Sequence, residues 1–168
     1  ALSVVHPAAG NIGGGGFMVI RLADGSVTTI DFREVAPSGA SQNMFLDDSM
    51  DVIEGLSWNT SLASGVPGSV AGFGMAHEKF GRTKWKKLVR PAVGLAKNGF
   101  PIDFQNVMTL NHPYYQEYLS NDIESRKIFS RQEPIELNEL FYQKDLAKTL
   151  DRISISGWQE FYIGKTAE

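Results

Sequence analysis

The stretch that decides the fold reads Gly13-Gly14-Gly15-Gly16-Phe17-Met18-Val19-Ile20-Arg21-Leu22, then Ala23-Asp24-Gly25, then Val27-Thr28-Thr29-Ile30-Asp31-Phe32-Arg33-Glu34. β-Branched and apolar residues flank an Asp-Gly turn, the pattern of a β-hairpin. Arg33 and Glu34 fall where the second strand should end, beside the turn Pro37-Ser38-Gly39. The glycine run is not a phosphate loop, because no Lys-Ser or Lys-Thr pair follows it and Phe17 leads into a strand instead of a helix. The regular spacing of a dinucleotide fingerprint is also absent. Four glycines in a row instead let main chain pass close to a ligand or to another backbone.

Working outward, the opening Ala1-Leu2-Ser3-Val4-Val5-His6-Pro7 reads as the end of a buried element, a terminal strand being acceptable, with no helix cap before it. Leu62 to Phe73 is rich in small residues and permits close backbone approach. Val70, Phe73, Ala76, His77 and Phe80 then recur at helical spacing, which predicts one buried helix face ended by Gly81. Trp85, Leu88 and Val89 begin another helical surface, and Pro91 is expected to start the next helix, with Ala92, Val93, Leu95 and Ala96 inward and Asn98-Gly99 terminating it. Residues 103–118 read as partly helical and broken near His112-Pro113. Residues 144–154 read as a further helix, and Trp158, Phe161 and Tyr162 as a short last one. The expectation is one α/β or α+β unit over residues 1–168, a single partial domain whose lone hairpin needs strands from elsewhere, since a hairpin exposes two edges.

Composition excludes several functions. The 168 residues are 42% hydrophobic, as in ordinary globular proteins, and sixteen basic side chains against nineteen acidic ones leave a formal net charge of −3. A nucleic-acid partner is not expected, because phosphate recognition needs a concentrated positive field. The cluster Arg82, Lys84, Lys86, Lys87 and Arg90 reads as a solvated helix face. With no cysteine there is no thiol catalysis, disulfide or thiolate metal site. No apolar run approaches the ~20 residues that span a bilayer, and no basic-leader signal peptide is visible. Asn59-Thr60-Ser61 matches the short glycosylation pattern.

Among residues that could carry chemistry, Arg33 stands out. Its planar fork of donors can grip a carboxylate through two parallel bonds, and a strand end would hold it accurately. Glu34 could pin that arginine, receive an ammonium group or face water. His6, His77 and His112 lie far apart without ligand spacing, so no metal is expected. Ser64, Ser69, Ser154 and Ser156 sit in no nucleophile elbow. Tyr114 and Tyr115 could stack on a ligand, with packing over a helix joint the reading preferred.

The blocks Gly13-Gly14-Gly15-Gly16-Phe17-Met18 and Ile30-Asp31-Phe32-Arg33-Glu34-Val35-Ala36-Pro37 resemble the large-subunit region of the γ-glutamyltranspeptidase family. In the same order, Leu62 to Phe73 resembles that family's helix entry and Pro91 to Phe100 its following helix, with weaker likeness at Asp145 to Leu150 and Phe161 to Gly164. The resemblance implies an incomplete part of a four-layer αββα N-terminal nucleophile hydrolase fold. It implies a precursor that cuts itself, and a partner small subunit whose N-terminal Thr attacks a γ-glutamyl amide, such as glutathione, before water, an amino acid or a peptide resolves the ester. This stretch holds no such Thr, so a part alone is expected to be inactive.

By the same resemblance Arg33 matches the arginine that clamps the donor α-carboxylate, Glu34 supports it, and Gly13, Gly14, Gly15 and Gly16 shape the pocket wall. No cofactor or metal is implied, and the compartment implied is periplasmic or extracellular. The alternatives are a component of a glutaryl or cephalosporin acylase-like amidohydrolase, and a non-catalytic structural fragment.

Overall fold

The computed structural model describes residues 1–168, which divide into two compact units, Gly13–Gly72 and Ala1–Ile12 with Phe73–Glu168. In chain order the elements are α1 (Leu2–Val5), β1 (Phe17–Arg21), β2 (Val27–Asp31), a 3-10 turn (Ser61–Ala63), α2 (Ser69–Phe80), α3 (Trp85–Asn98), β3 (Phe100–Pro101), α4 (Phe104–Leu110), α5 (Pro113–Asn121), α6 (Ile123–Phe129), β4 (Leu140–Phe141), α7 (Lys144–Ser156) and α8 (Glu160–Ile163). Mixed helix and sheet is the class expected from the sequence.

In the unit Gly13–Gly72, β1 and β2 form the anticipated antiparallel hairpin, with Phe17 opposite Asp31 and Arg21 opposite Val27. Its turn is set locally. The Asp24 carboxylate accepts from the Ser26 amide and hydroxyl at 2.9 and 2.7 Å, and Gly25 takes φ +88°, a conformation that suits glycine. Ile30 is buried, whereas Phe17, Val19 and Val27 stay exposed. Later main chain in this unit turns back on itself through isolated bridges at Val35–Val66 and Leu46–Val52.

The other unit has an ordinary apolar core. α3 packs along α7, and Ala92, Ala96, Ala147 and Leu150 meet Val4, Ile102, Leu110, Ile135 and Phe141 there. Phe141 lies edge-on to Phe100 at 6.0 Å and stacks with Phe129 at 5.9 Å. Buried amides complete the polar bonding that burial demands. The Gln143 side chain donates to the Val4 carbonyl at 2.7 Å, Asn106 donates to the Val5 carbonyl at 2.9 Å, and Asn111 both donates to and accepts from the backbone of Ile135. At the far end Glu160 is nearly buried and receives Arg152 at 3.2 Å and the Thr166 hydroxyl at 2.7 Å.

The opening residues are the buried element expected, in the form of one helical turn that fully buries Val4 and not the strand also acceptable there. Two local expectations are corrected. Pro91 does not start a helix but lies inside α3, on an exposed side where the amide it lacks is no loss to the core. The face proposed for α2 holds at Val70, which is buried, and fails at Phe73, which is 52% exposed while Gly72 and Gly74 are buried. A Cβ at Gly74 would overlap the ring of Trp158, whose indole donates to Glu78 at 2.7 Å. Small residues face inward because an aromatic ring comes down onto the helix backbone. The break at His112-Pro113 is as expected, with the His112 ring accepting from the Tyr114 amide at 3.2 Å.

Candidate functional site

The site is the strand exit Phe32-Arg33-Glu34-Val35, and it is built by backbone more than by side chains. One pair beyond the β ladder, Gly16 and Phe32 exchange amide-to-carbonyl bonds of 3.2 and 2.9 Å. At Gly15 a Cβ would stand 2.5 Å from the Phe32 carbonyl oxygen and 2.8 Å from the Glu34 nitrogen. Gly14 presents its carbonyl to the amides of Gly68 and Ser69, both at 2.9 Å. Gly68 in turn lies where a Cβ would overlap the Phe32 carbonyl, and Val35 exchanges two backbone bonds with Val66 at 3.2 and 2.8 Å. The strand exit is therefore clamped between residues 14–16 and residues 65–68, and at Gly15 and Gly68 the approach leaves no room for a Cβ. Gly13 is exposed at the start of the run.

On this frame Arg33 is anchored at three points. Its amide donates to the Asp31 carboxylate at 3.0 Å, its Nε donates to Glu34 Oε2 at 3.2 Å, and its guanidinium lies 5.8 Å from the Phe17 ring centre. The side chain remains 63% exposed. Glu34 thus holds one edge of the fork, an arrangement in which a guanidinium can still pair with a planar anion through its outer nitrogens. The Glu34 carboxyl is held below its ordinary range, first by its own backbone amide, then by the Arg33 hydrogen bond and charge and by the Gly15 amide. It stays ionised and keeps gripping the arginine.

The structure places Gly15 against Phe32 and Glu34, Gly16 in bonds with Phe32, and Arg33 against Glu34. Three supporting features escaped sequence reasoning: the Asp31 carboxylate, the Phe17 ring, and the clamp from Gly65 to Gly68. The small-residue block was visible, but its partner strand was not.

The candidates in the helical unit have local partners of their own. His77 pairs with the Thr83 carbonyl at 2.7 Å and lies edge-on to Trp85 at 5.3 Å. Tyr114 and Tyr115 meet each other edge-on at 5.4 Å, and Tyr115 lies edge-on to His112 at 5.9 Å where α4 gives way to α5, so the half-exposed pair packs over the helix joint as expected. No group of three or more His, Cys, Asp or Glu side chains is placed to hold a metal ion, and no helix is long and apolar enough to cross a membrane.

Comparison with known proteins gives this geometry its context. The chain is 45% identical over 169 residues to the glutathione hydrolase proenzyme of Escherichia coli K12, matching 100% of this chain and 29% of that protein. Its structure superposes on γ-glutamyltranspeptidase of Helicobacter pylori with a TM-score of 0.93 at 46% identity, over 99% of this chain and 48% of that one. Cephalosporin acylase of Bacillus halodurans aligns with a TM-score of 0.70 at 17% identity, over 99% of this chain and 31% of that chain, a likeness of fold alone. The architecture is accordingly part of an N-terminal nucleophile hydrolase fold, and the chain spans less than a third of its curated E. coli relative. The family model described as gamma-glutamyltranspeptidase matches residues 1–168 without remainder, and with the glycine-clamped Asp-Phe-Arg-Glu exit in place the chain belongs to the γ-glutamyltranspeptidase family.

Proposed function

We propose that residues 1–168 form part of the large subunit of an autoprocessed enzyme that cleaves γ-glutamyl amides such as glutathione. The acyl group passes to water, an amino acid or a peptide. In this reading Arg33 holds the α-carboxylate of the donor, Glu34 orients Arg33, and Gly13 to Gly16 shape the wall beside it. A small subunit supplies the N-terminal Thr nucleophile, so this stretch contributes recognition and no nucleophile of its own. The compartment that fits is periplasmic or extracellular.

The observation that supports the reading most is the Arg33–Glu34 pair itself. An exposed ion pair contributes little stability, about 0 to 1 kcal/mol, so two adjacent charges on a rigid glycine frame are better explained by what the arginine can bind than by fold stability. Binding a carboxylate opposite a charged donor contributes about 1.5 to 3 kcal/mol.

The test is Arg33→Ala and Arg33→Lys in the processed full-length protein, assayed with paired γ-glutamyl and glutaryl anilides. The expected result is a loss of at least about tenfold in kcat/KM for the γ-glutamyl donor, with partial recovery in the lysine variant. Wild-type donor kinetics in Arg33→Ala would remove the clamp. A wild-type preference for the glutaryl anilide would instead favour an acylase, and failure to cleave either would favour a structural role.

A further inference from the structure

The helical unit carries a groove of its own. It lies between α3 and α7, encloses about 590 Å³, and is floored by Val93, Gly94 and Ala147. Arg90 and Lys97 from α3, and Lys144 and Lys148 from α7, line it together with the single acid Asp151. Lys148 also pairs with Asp145 at 2.7 Å, but both partners are more than two-thirds exposed, and such pairs are weak and screened. Even with Asp145 counted, four cations face two carboxylates, in a chain whose formal net charge is −3. Such local excess is the opposite of what the overall composition predicts.

Gly94 sharpens the case. It sits in the interior of a fourteen-residue helix, where glycine is destabilising relative to alanine. Neither common reason for a glycine applies. Its φ is not positive, and a Cβ there would meet nothing within 4 Å. What the missing side chain does provide is an open floor beneath the cations.

We propose that this groove is a binding site for a small organic or inorganic polyanion carrying at least two carboxylate or phosphate groups. Its volume lies within the ~300 to 1,000 Å³ of small-ligand sites. Cations from two rigid helices would hold two anionic groups across the apolar floor, and Asp151 would disfavour ligands of higher charge density on its side.

Isothermal titration calorimetry on the full-length protein that carries this chain tests the site, with citrate and inorganic pyrophosphate as probes and acetate as a singly charged control. The expected result is saturable binding of at least one probe below about 1 mM, with none for acetate. Citrate preference assigns polycarboxylates, and pyrophosphate preference assigns phosphates. Gly94→Leu, which fills the floor without removing a charge, should weaken binding at least about tenfold, as should the double variant Lys97→Gln, Lys148→Gln. Asp151→Asn should tighten it. Thermal melts confirm folding, and the lysine variant carries the test if Gly94→Leu does not fold. Absence of saturable binding, or affinity unchanged in the folded variants, overturns the proposal.

Discussion

The hairpin unit and the helical unit are held together by different physics. Around α3 and α7, buried side chains do the work, and Phe141 alone packs against rings from two directions. Around Phe32 to Val35, carbonyls, amides and glycines do it, and Phe17, Val19 and Val27 of the hairpin remain exposed. The first arrangement tolerates conservative change in many side chains. The second tolerates almost none at its glycines, because a backbone cannot step aside as a side chain can. Under the proposed function, Arg33 gains from the second kind of frame, where its position is defined by main-chain geometry.

That contrast can be broken by substitution. The largest effect is expected from Phe141→Ala, which should destabilise the helical unit by about 3 to 5 kcal/mol, read as lost amide-exchange protection in α3 and α7. Protection unchanged there would mean that the aromatic cluster is not what holds the unit. Next comes Gly68→Ala, whose new methyl overlaps the Phe32 carbonyl and should cost about 1 to 3 kcal/mol within residues 13–72. Donor KM should rise with it in the processed protein, and a variant with normal KM would show that the glycine clamp does not position Arg33.

A smaller change tests a cap in the helical unit. The Asp103 carboxylate accepts from the Asn106 amide at 2.8 Å at the start of α4, so Asp103→Ala should cost about 1 kcal/mol in denaturant unfolding. The smallest effect concerns pH. The folded Glu34 carboxyl titrates below its ordinary value of 4.5, so its hold on Arg33 is fully present above that value and is lost only as pH falls through the lowered one. Carboxyl chemical shifts followed by NMR should therefore show Glu34 titrating below 4.5, and a Glu34 midpoint at or above that value would contradict the pairing.

Much of the hairpin unit was legible because its signals are local. Asp24-Gly25 encodes its own turn through a carboxylate and a positive φ, and β-branched and apolar residues set the strands on either side. The placement of Arg33 and Glu34 at the strand end follows from that register. In the helical unit the helices themselves were legible, but not which way α2 faces. Periodicity assumes that large residues turn inward, and it fails at Gly74, where Trp158 from a distant segment occupies the space. Pro91 misled for a related reason, since the packing of Ala92 and Ala96 keeps α3 continuous through a residue that would end an isolated helix.

By itself, the sequence determined the hairpin, the order of the main helices, the absence of thiol chemistry and the candidate arginine, because each depends on residues near one another along the chain. Only the tertiary structure decided that Gly65 to Gly68 close on Phe32, that Asp31 and Phe17 complete the setting of Arg33, and that Arg90, Lys97, Lys144 and Lys148 share one groove. Apart from the Asp31 carboxylate, which is two residues from Arg33, those relations join segments well separated along the chain. They arise from close packing and from the need of buried carbonyls and amides for partners, which no local pattern specifies.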